Sequence, residues 1–270
     1  MKYIPNLDKT NFQNKLLVIG LIYLGLLLLS ASSGRVFAQN TVPKKTVVLV
    51  HGTFADGSSW EKIIPLLQAK GFNVIAVQNP LTSLANDVAV TKRAIDSAPG
   101  EVILVGHSWG GTVITQAGNN EKVKALVYIA AFALSKDQSV NDLYKEYPAP
   151  EWFGSAKADS SGFLTLLPGA FNKYFAQDLT TAQTSIMAST QAPVSARAFD
   201  DKVTETAWSN KPSWYIVAAN DRMISPDIQK ATAKKIGATI TVLQTSHVPM
   251  LSKPKEVADV VLVAGGISKE

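Results

Sequence analysis

Six short stretches of the chain are apolar almost throughout and rich in β-branched residues: 46–50 (TVVLV), 74–77 (VIAV), 102–105 (VILV), 126–129 (LVYI), 214–217 (WYIV) and 240–243 (ITVL). None alternates polar with apolar positions. Runs of this length suit strands covered on both faces, as in a parallel sheet. Between the runs the period changes to that of a helix. Trp60, Ile63, Ile64 and Leu67 lie at i, i+3, i+4 and i+7, with Ser58 or Ser59 as N-cap and Gly71 as the stop. Leu84, Val88, Thr91 and Ile95 make a second stripe, ended by Pro99-Gly100. A third helix opens at Ser225-Pro226, a cap followed by proline in the first turn, and stops at Gly237. Ser252 and Pro254 open the last.

Strands alternating with helices through short connections predict an α/β fold, a mostly parallel doubly wound sheet. One interval is longer than the rest. Residues 133–211, between the fourth and fifth apolar runs, hold Pro148, Pro150, Trp152, Phe153, Phe163, Leu166, Leu167, Phe171, Tyr174 and Phe175. That density of aromatic residues predicts an inserted helical cap folded over the sheet, not a disordered loop.

The first 38 residues read differently. Lys2, Lys9 and Lys15 precede an uncharged apolar run at 16–29; Ser30, Ala31, Ser32 and Ser33 follow, and Val36-Phe37-Ala38 ends the stretch on a small residue. This is the three-part pattern of a secretory signal peptide, and the apolar run is short for a membrane span. The expectation is therefore a leader at 1–38 and an exported single domain at 39–270. A membrane enters only through an uncleaved leader. The leader also carries four of the 26 basic and one of the 21 acidic residues, which leaves 22 against 20. The pI near 9.2 thus does not describe the domain, and the thinly spread lysines predict no nucleic-acid partner. With no cysteine, disulfides and thiol chemistry are excluded. Three unclustered histidines and the lack of a phosphate-binding glycine loop predict neither metal nor cofactor.

The chemistry concentrates where the third apolar run enters 106–111 (GHSWGG). This G-x-S-x-G places Ser108 on a tight strand-to-helix turn, between glycines that let strand and helix approach closely. A serine hydroxyl needs a base within hydrogen-bond reach. His51 ends the first strand and His107 is inside the turn, its side chain expected to point away. His247, in the loop after the last strand, is the candidate base. Asp221, just beyond the fifth strand, is the candidate carboxylate to orient that base. Asp227 reads instead as a helix-start charge, and Asp137 is the remaining rival. Two backbone N–H donors are needed for a developing oxyanion. Trp109 supplies one; Thr53, after His51-Gly52, is the choice for the other. Phe54 is the runner-up donor and a candidate substrate contact.

Together His51-Gly52-Thr53-Phe54, the 106–111 turn, Asp221-Arg222-Met223-Ile224 with Pro226, and Ser246-His247 ahead of Ser252 and Pro254 resemble the α/β-hydrolase superfamily over residues 45–264. The likeness is greatest to the branch holding plant-type methyl esterases, hydroxynitrile lyases and bacterial esterases. The resemblance implies the order Ser108, Asp221, His247 and cofactor-free acyl transfer on a small-molecule carboxylic ester. Lactones or amides would use the same residues. The lyases of this branch resemble one another in a lysine after the base and a threonine after the first-loop histidine. Val248 and Gly52 stand there, favouring esterase chemistry. The plant enzymes also carry a second histidine close behind the first-loop glycine, where this chain has Ala55-Asp56-Gly57.

Overall fold

The computed structural model describes residues 45–268. The leader expected at 1–38 lies outside the described residues. All six apolar runs lie inside strands and share or adjoin a strand boundary: β1 (Thr46–Val50), β2 (Asn73–Val77), β3 (Val102–His107), β4 (Val123–Ile129), β5 (Ser213–Ala218) and β6 (Thr239–Leu243). They form one sheet in the order β2-β1-β3-β4-β5-β6, every neighbouring pair parallel. The chain starts at the second position, runs to one edge, and returns across the centre to the other. That reversal places the carboxyl ends of β1 and β3 side by side, the switch point where open α/β sheets carry their sites.

Burial follows position in the sheet. β1 and β3 are buried at every residue. β6 is not: as an edge strand it leaves Ile240 and Val242 about half exposed, contrary to a strand covered on both faces. The difference is one of neighbours, since the β6 sequence is as apolar as the rest.

The helix stripes hold with two changes at their starts. Leu84, Val88, Thr91 and Ile95 are all buried on α2 (Leu84–Ser97), whose N-cap Ser83 accepts from Asn86 N–H. Ahead of it, residues Gly57–Trp60 form a 3-10 turn, capped by Asp56 and not by Ser58 or Ser59. The helix proper, α1 (Ile64–Ala69), opens with Pro65 in its first turn. Proline lacks the N–H that an earlier start would need at that point, so the turn cannot run on as one α-helix. Helix α3 (Trp109–Ala117) follows the β3 turn. After the insertion, α5 (Pro226–Lys235) is capped by Ser225 and stops before Gly237, whose φ is 63°. The last helix, α6 (Pro254–Ala264), starts from Lys253, and Ser252 ends a separate short turn, Pro249–Ser252.

The insertion between β4 and β5 is a cap of mixed structure. It holds a short helix Val140–Tyr144, closed by a reciprocal Ser139–Asp142 capping box, and α4 (Thr181–Thr190) with a second such box from Thr180 and Gln183. Beside these helices lies a three-stranded antiparallel sheet of Ala156–Ala158, Phe163–Leu166 and Val194–Ser195, absent from the sequence expectation. Its strands are two to four residues long, too short for a period to emerge. Among the described residues no helix is long and apolar enough to cross a membrane.

Candidate active site

Ser108 sits between β3 and α3 with φ 54° and ψ −121°, a conformation L-residues rarely adopt. The surroundings fix it there. Its N–H donates to the Ile129 carbonyl and its own carbonyl accepts from Phe132 N–H, both 3.2 Å. A Cβ on Gly106 would come within 2.5 Å of the Gly110 carbonyl oxygen, and one on Gly110 within 2.2 Å of the Val50 oxygen. Both obstacles are backbone, so the turn requires glycine at each place. Ser108 also caps the start of α3, whose first N–H groups have no partner inside the helix and favour negative charge nearby.

The loop after β1 lies directly against this serine. A Cβ on Gly52 would meet Ser108 Cβ at 2.6 Å and Ser108 Oγ at 3.1 Å. His51 bolts the loop in place: its Nε2 accepts from Asn79 N–H at 2.9 Å, and its Nδ1 lies 2.8 Å from the Gly52 carbonyl. A nitrogen that accepts from an amide carries no proton, so Nδ1 is the protonated one and donates to Gly52. Thr53 follows and lines the same cavity as Ser108. Neither Thr53 N–H nor Trp109 N–H donates to a turn or loop carbonyl among the described residues. Phe54 is placed differently from the expectation. Its φ of 58° is left-handed, its ring is fully buried edge-on to Trp152 at 5.7 Å, and it does not line the Ser108 cavity.

His247 is 1% exposed and its Nδ1 lies 2.7 Å from Asp221 Oδ2. Asp221 accepts three further bonds, from Met223 N–H and Ile224 N–H on Oδ1 and from Gln229 Nε2 on Oδ2. Four donors on two oxygens suit a carboxylate, an acceptor-only group. Gln229 is itself held, donating also to the Ile224 carbonyl and accepting from Ala218 N–H. With Nδ1 committed to Asp221, Nε2 is the ring nitrogen left to take a proton. Asp227 lies exposed in the first turn of α5, as expected. Asp137 pairs through its backbone with Val203, and Asp221 is the carboxylate on His247.

Sequence reasoning missed several neighbours. His107 does not simply point away: it donates from Nε2 to the His247 carbonyl at 2.7 Å, and the two rings are 4.7 Å apart. Phe175 packs edge-on against the His247 ring at 5.2 Å, and Asp178 accepts from Ser246 N–H. The adjacency of His107 to Ser108 was a signal in plain view; the carbonyl it meets, 140 positions away, was not.

Burial pushes the His51 ring below its usual range and the His107 ring well below it. Folded, both rings hold a proton less readily than in the unfolded chain, where a histidine takes one near pH 6.5. Their contribution to stability is therefore present above pH 6.5 and is lost as the pH falls below it. Asp87 acts in the opposite sense: burial raises its carboxyl to about 6, so the folded chain gains a proton there that the unfolded chain lacks above about 4. Two histidines against one carboxyl leave a net loss of up to ~1.4 kcal/mol per pH unit between about pH 6 and 4. Urea unfolding at pH 7.5, 6.5, 5.5 and 4.5 measures it; a flat profile would contradict both buried neutral histidines.

Ser108, His247 and Thr53 open into one small cavity. Its other walls are Phe132, Val140, Asn141, Tyr144, Trp152, Phe153, Phe199, Met223 and Ile224. The cap supplies most of these. Trp152 Nε1 and Tyr144 OH both donate to the Met223 carbonyl, at 2.9 and 3.3 Å, and Asn141 donates to Asp200. Among the described residues no cluster of three or more His, Cys, Asp or Glu could hold a metal ion.

Known proteins are similar to this chain over most of its length. Methylesterase 2 of Arabidopsis thaliana is 26% identical over 247 residues, covering 80% of this chain and 94% of its own length. Salicylic acid-binding protein 2 of Nicotiana tabacum is 26% identical over 245 residues, covering 78% and 94%. The crystal structure of polyneuridine aldehyde esterase superposes with a TM-score of 0.70 at 23% identity, over 82% of this chain and 99% of that one. Residues 47–260 match the Alpha/beta hydrolase family, and the protein belongs to that family.

Proposed function

We propose that the protein is a serine hydrolase of small to medium, uncharged carboxylic esters. The observation that carries this is the cavity itself. Ser108, His247 and the Thr53 loop face a space whose remaining walls carry no charged side chain. Trp152 Nε1, Tyr144 O–H and Asn141 Nδ2 already donate elsewhere. An ionic group on the substrate would lose its hydration with nothing to replace it. Relatives named methylesterases point to the same bond.

The geometry suits two-step acyl transfer. Ser108 Oγ attacks the ester carbonyl while His247 Nε2 takes its proton. Asp221 holds the ring and stabilises the imidazolium. The oxyanion is received by Thr53 N–H and Trp109 N–H at the head of α3. His247 then protonates the leaving alcohol, an acyl-enzyme remains, and water activated by the same nitrogen releases the acid.

Turnover of p-nitrophenyl esters from acetate to laurate tests the pocket, with p-nitrophenyl hemisuccinate as the charged counterpart of butyrate. kcat/KM is expected to be highest for short acyl chains and at least about tenfold lower for the hemisuccinate. Acid-quenched protein should carry the acyl mass on the Ser108 peptide. Equal rates for hemisuccinate and butyrate would sink the uncharged-substrate reading; turnover with no acyl adduct would count against the covalent route. Export after removal of residues 1–38 belongs to the same proposal and rests on the leader sequence alone. The intact mass of protein secreted by an export-competent host tests it.

A further inference from the structure

Asp87 is a carboxylate that the reaction does not use. It lies in the first turn of α2 and is completely buried. Oδ2 accepts from the indole Nε1 of Trp109 at 2.8 Å, and Oδ1 accepts from Leu81 N–H at 2.8 Å. Both donors are neutral. Burying an anion against neutral partners costs stability that an apolar residue would not. Such a cost at one position suggests that the group serves something other than the core.

What the two donors belong to is informative. Trp109 is the residue after Ser108, fully buried, with its ring edge-on to Phe199 of the cavity wall at 5.8 Å. Leu81 is held in the left-handed region, φ 55°, and its carbonyl accepts from Ser195 N–H in the cap sheet. One carboxylate therefore ties the first residue of α3, a strained loop and a cap strand to the same point. We propose that Asp87 is a positioning residue: by clamping the Trp109 indole it fixes the direction of the Trp109 backbone N–H, and through Leu81 it seats the cap strand against the same element. The inference rests on the reading of Trp109 N–H as an oxyanion donor.

The clamp needs the ionised form. A carboxylate offers a charged acceptor to each donor; protonation turns one oxygen into a hydroxyl, a weaker acceptor with a proton of its own to place, and slackens that bond. Burial raises the group to about 6, with Asp201 the other charge acting on it, itself occupied in accepting from Leu84 N–H. Acid should thus loosen the clamp in a range where the enzyme is otherwise folded.

The test uses the mature chain with p-nitrophenyl butyrate between pH 5 and 9. Asp87→Asn puts an amide N–H against one of the two donors and is expected to lower kcat about 10- to 100-fold, with KM within about twofold. Trp109→Phe keeps a ring but removes the indole N–H, and should give a similar loss. The double variant should be no worse than either single one. Below pH 6 wild type should fall more steeply than the one-proton slope of a single base, and Asp87→Asn should return to that slope. A readout free of activity is the Trp109 indole Nε1–H resonance in wild type, expected to titrate near pH 6. An unmoved resonance, additive losses, or an Asp87→Asn variant with wild-type kcat and acid slope would overturn the clamp. If Ser108→Ala proved as active as wild type, the esterase reading would fail instead, and the indole titration would still decide whether Asp87 grips Trp109.

Discussion

Replacing Ser108 by alanine is expected to lower kcat for p-nitrophenyl butyrate by about 10⁴- to 10⁶-fold, as removal of the nucleophile does in serine hydrolases generally. The expectation follows from how little else changes. Alanine keeps the Cβ that Gly52 packs against and accepts φ 54° no less readily than serine does, so the turn and the stability should survive. Only Oγ is lost, and with it the covalent route. Some turnover above water should persist, because the proposed oxyanion donors, Thr53 and Trp109 N–H, and the binding cavity are untouched. Parallel kcat and thermal-unfolding measurements separate the outcomes. A variant with native stability and wild-type turnover would overturn the serine-hydrolase assignment and bring non-hydrolytic chemistry on this fold forward.

A second large loss is expected from Asp221→Asn, about 10⁴-fold in kcat, as for the matching change in the serine-protease triad. Here the hydrogen bonds say why a near-isosteric change should matter so much. Oδ1 receives two backbone N–H groups from Met223 and Ile224, so the amide nitrogen cannot sit there. It must replace Oδ2, where it meets Gln229 Nε2 and His247 Nδ1, both donors. His247 can answer only by moving its proton to Nε2, which removes the acceptor that Ser108 requires. Gln229 cannot flip without exposing its own nitrogen to Ala218 N–H. The buried mismatch should also cost about 1–3 kcal/mol of stability. Urea unfolding measured beside kcat separates the two effects. A variant that kept wild-type kcat would place the orienting carboxylate elsewhere.

Much of this was legible in local sequence. The six strands announce themselves because parallel strands are apolar on both faces, and Ser108, Asp221 and His247 each follow such a run within a few residues. What the chain order could not reveal are the partners that individual polar side chains find once folded. Gln229 looks like any polar residue on a solvent-facing helix until its amide is found on Asp221. Asp87 looks like a helix-start charge, yet it is completely buried. The apolar stretch of β6 reads like its siblings, and only its place at the sheet edge exposes Ile240 and Val242. The cap's aromatic residues were noticed as a group, but which of them would face Ser108 depends on folds of the insertion that carry no period. Trp152 and Phe153 do; Phe171 and Phe175 pack together, with Phe175 against the base.

Met223 joins cap and acid in one residue: its N–H binds Asp221 and its carbonyl receives Trp152 and Tyr144. This bears on how such enzymes could be recombined. A cap grafted from a relative would bring a new pocket wall, but it would also have to bring donors at the places of Trp152 and Tyr144. Without them a bare carbonyl would be left one residue away from the arm that steadies the acid, and altered specificity would arrive together with a slackened base. The exchangeable module is accordingly larger than the insertion, and its seam runs through 221–224.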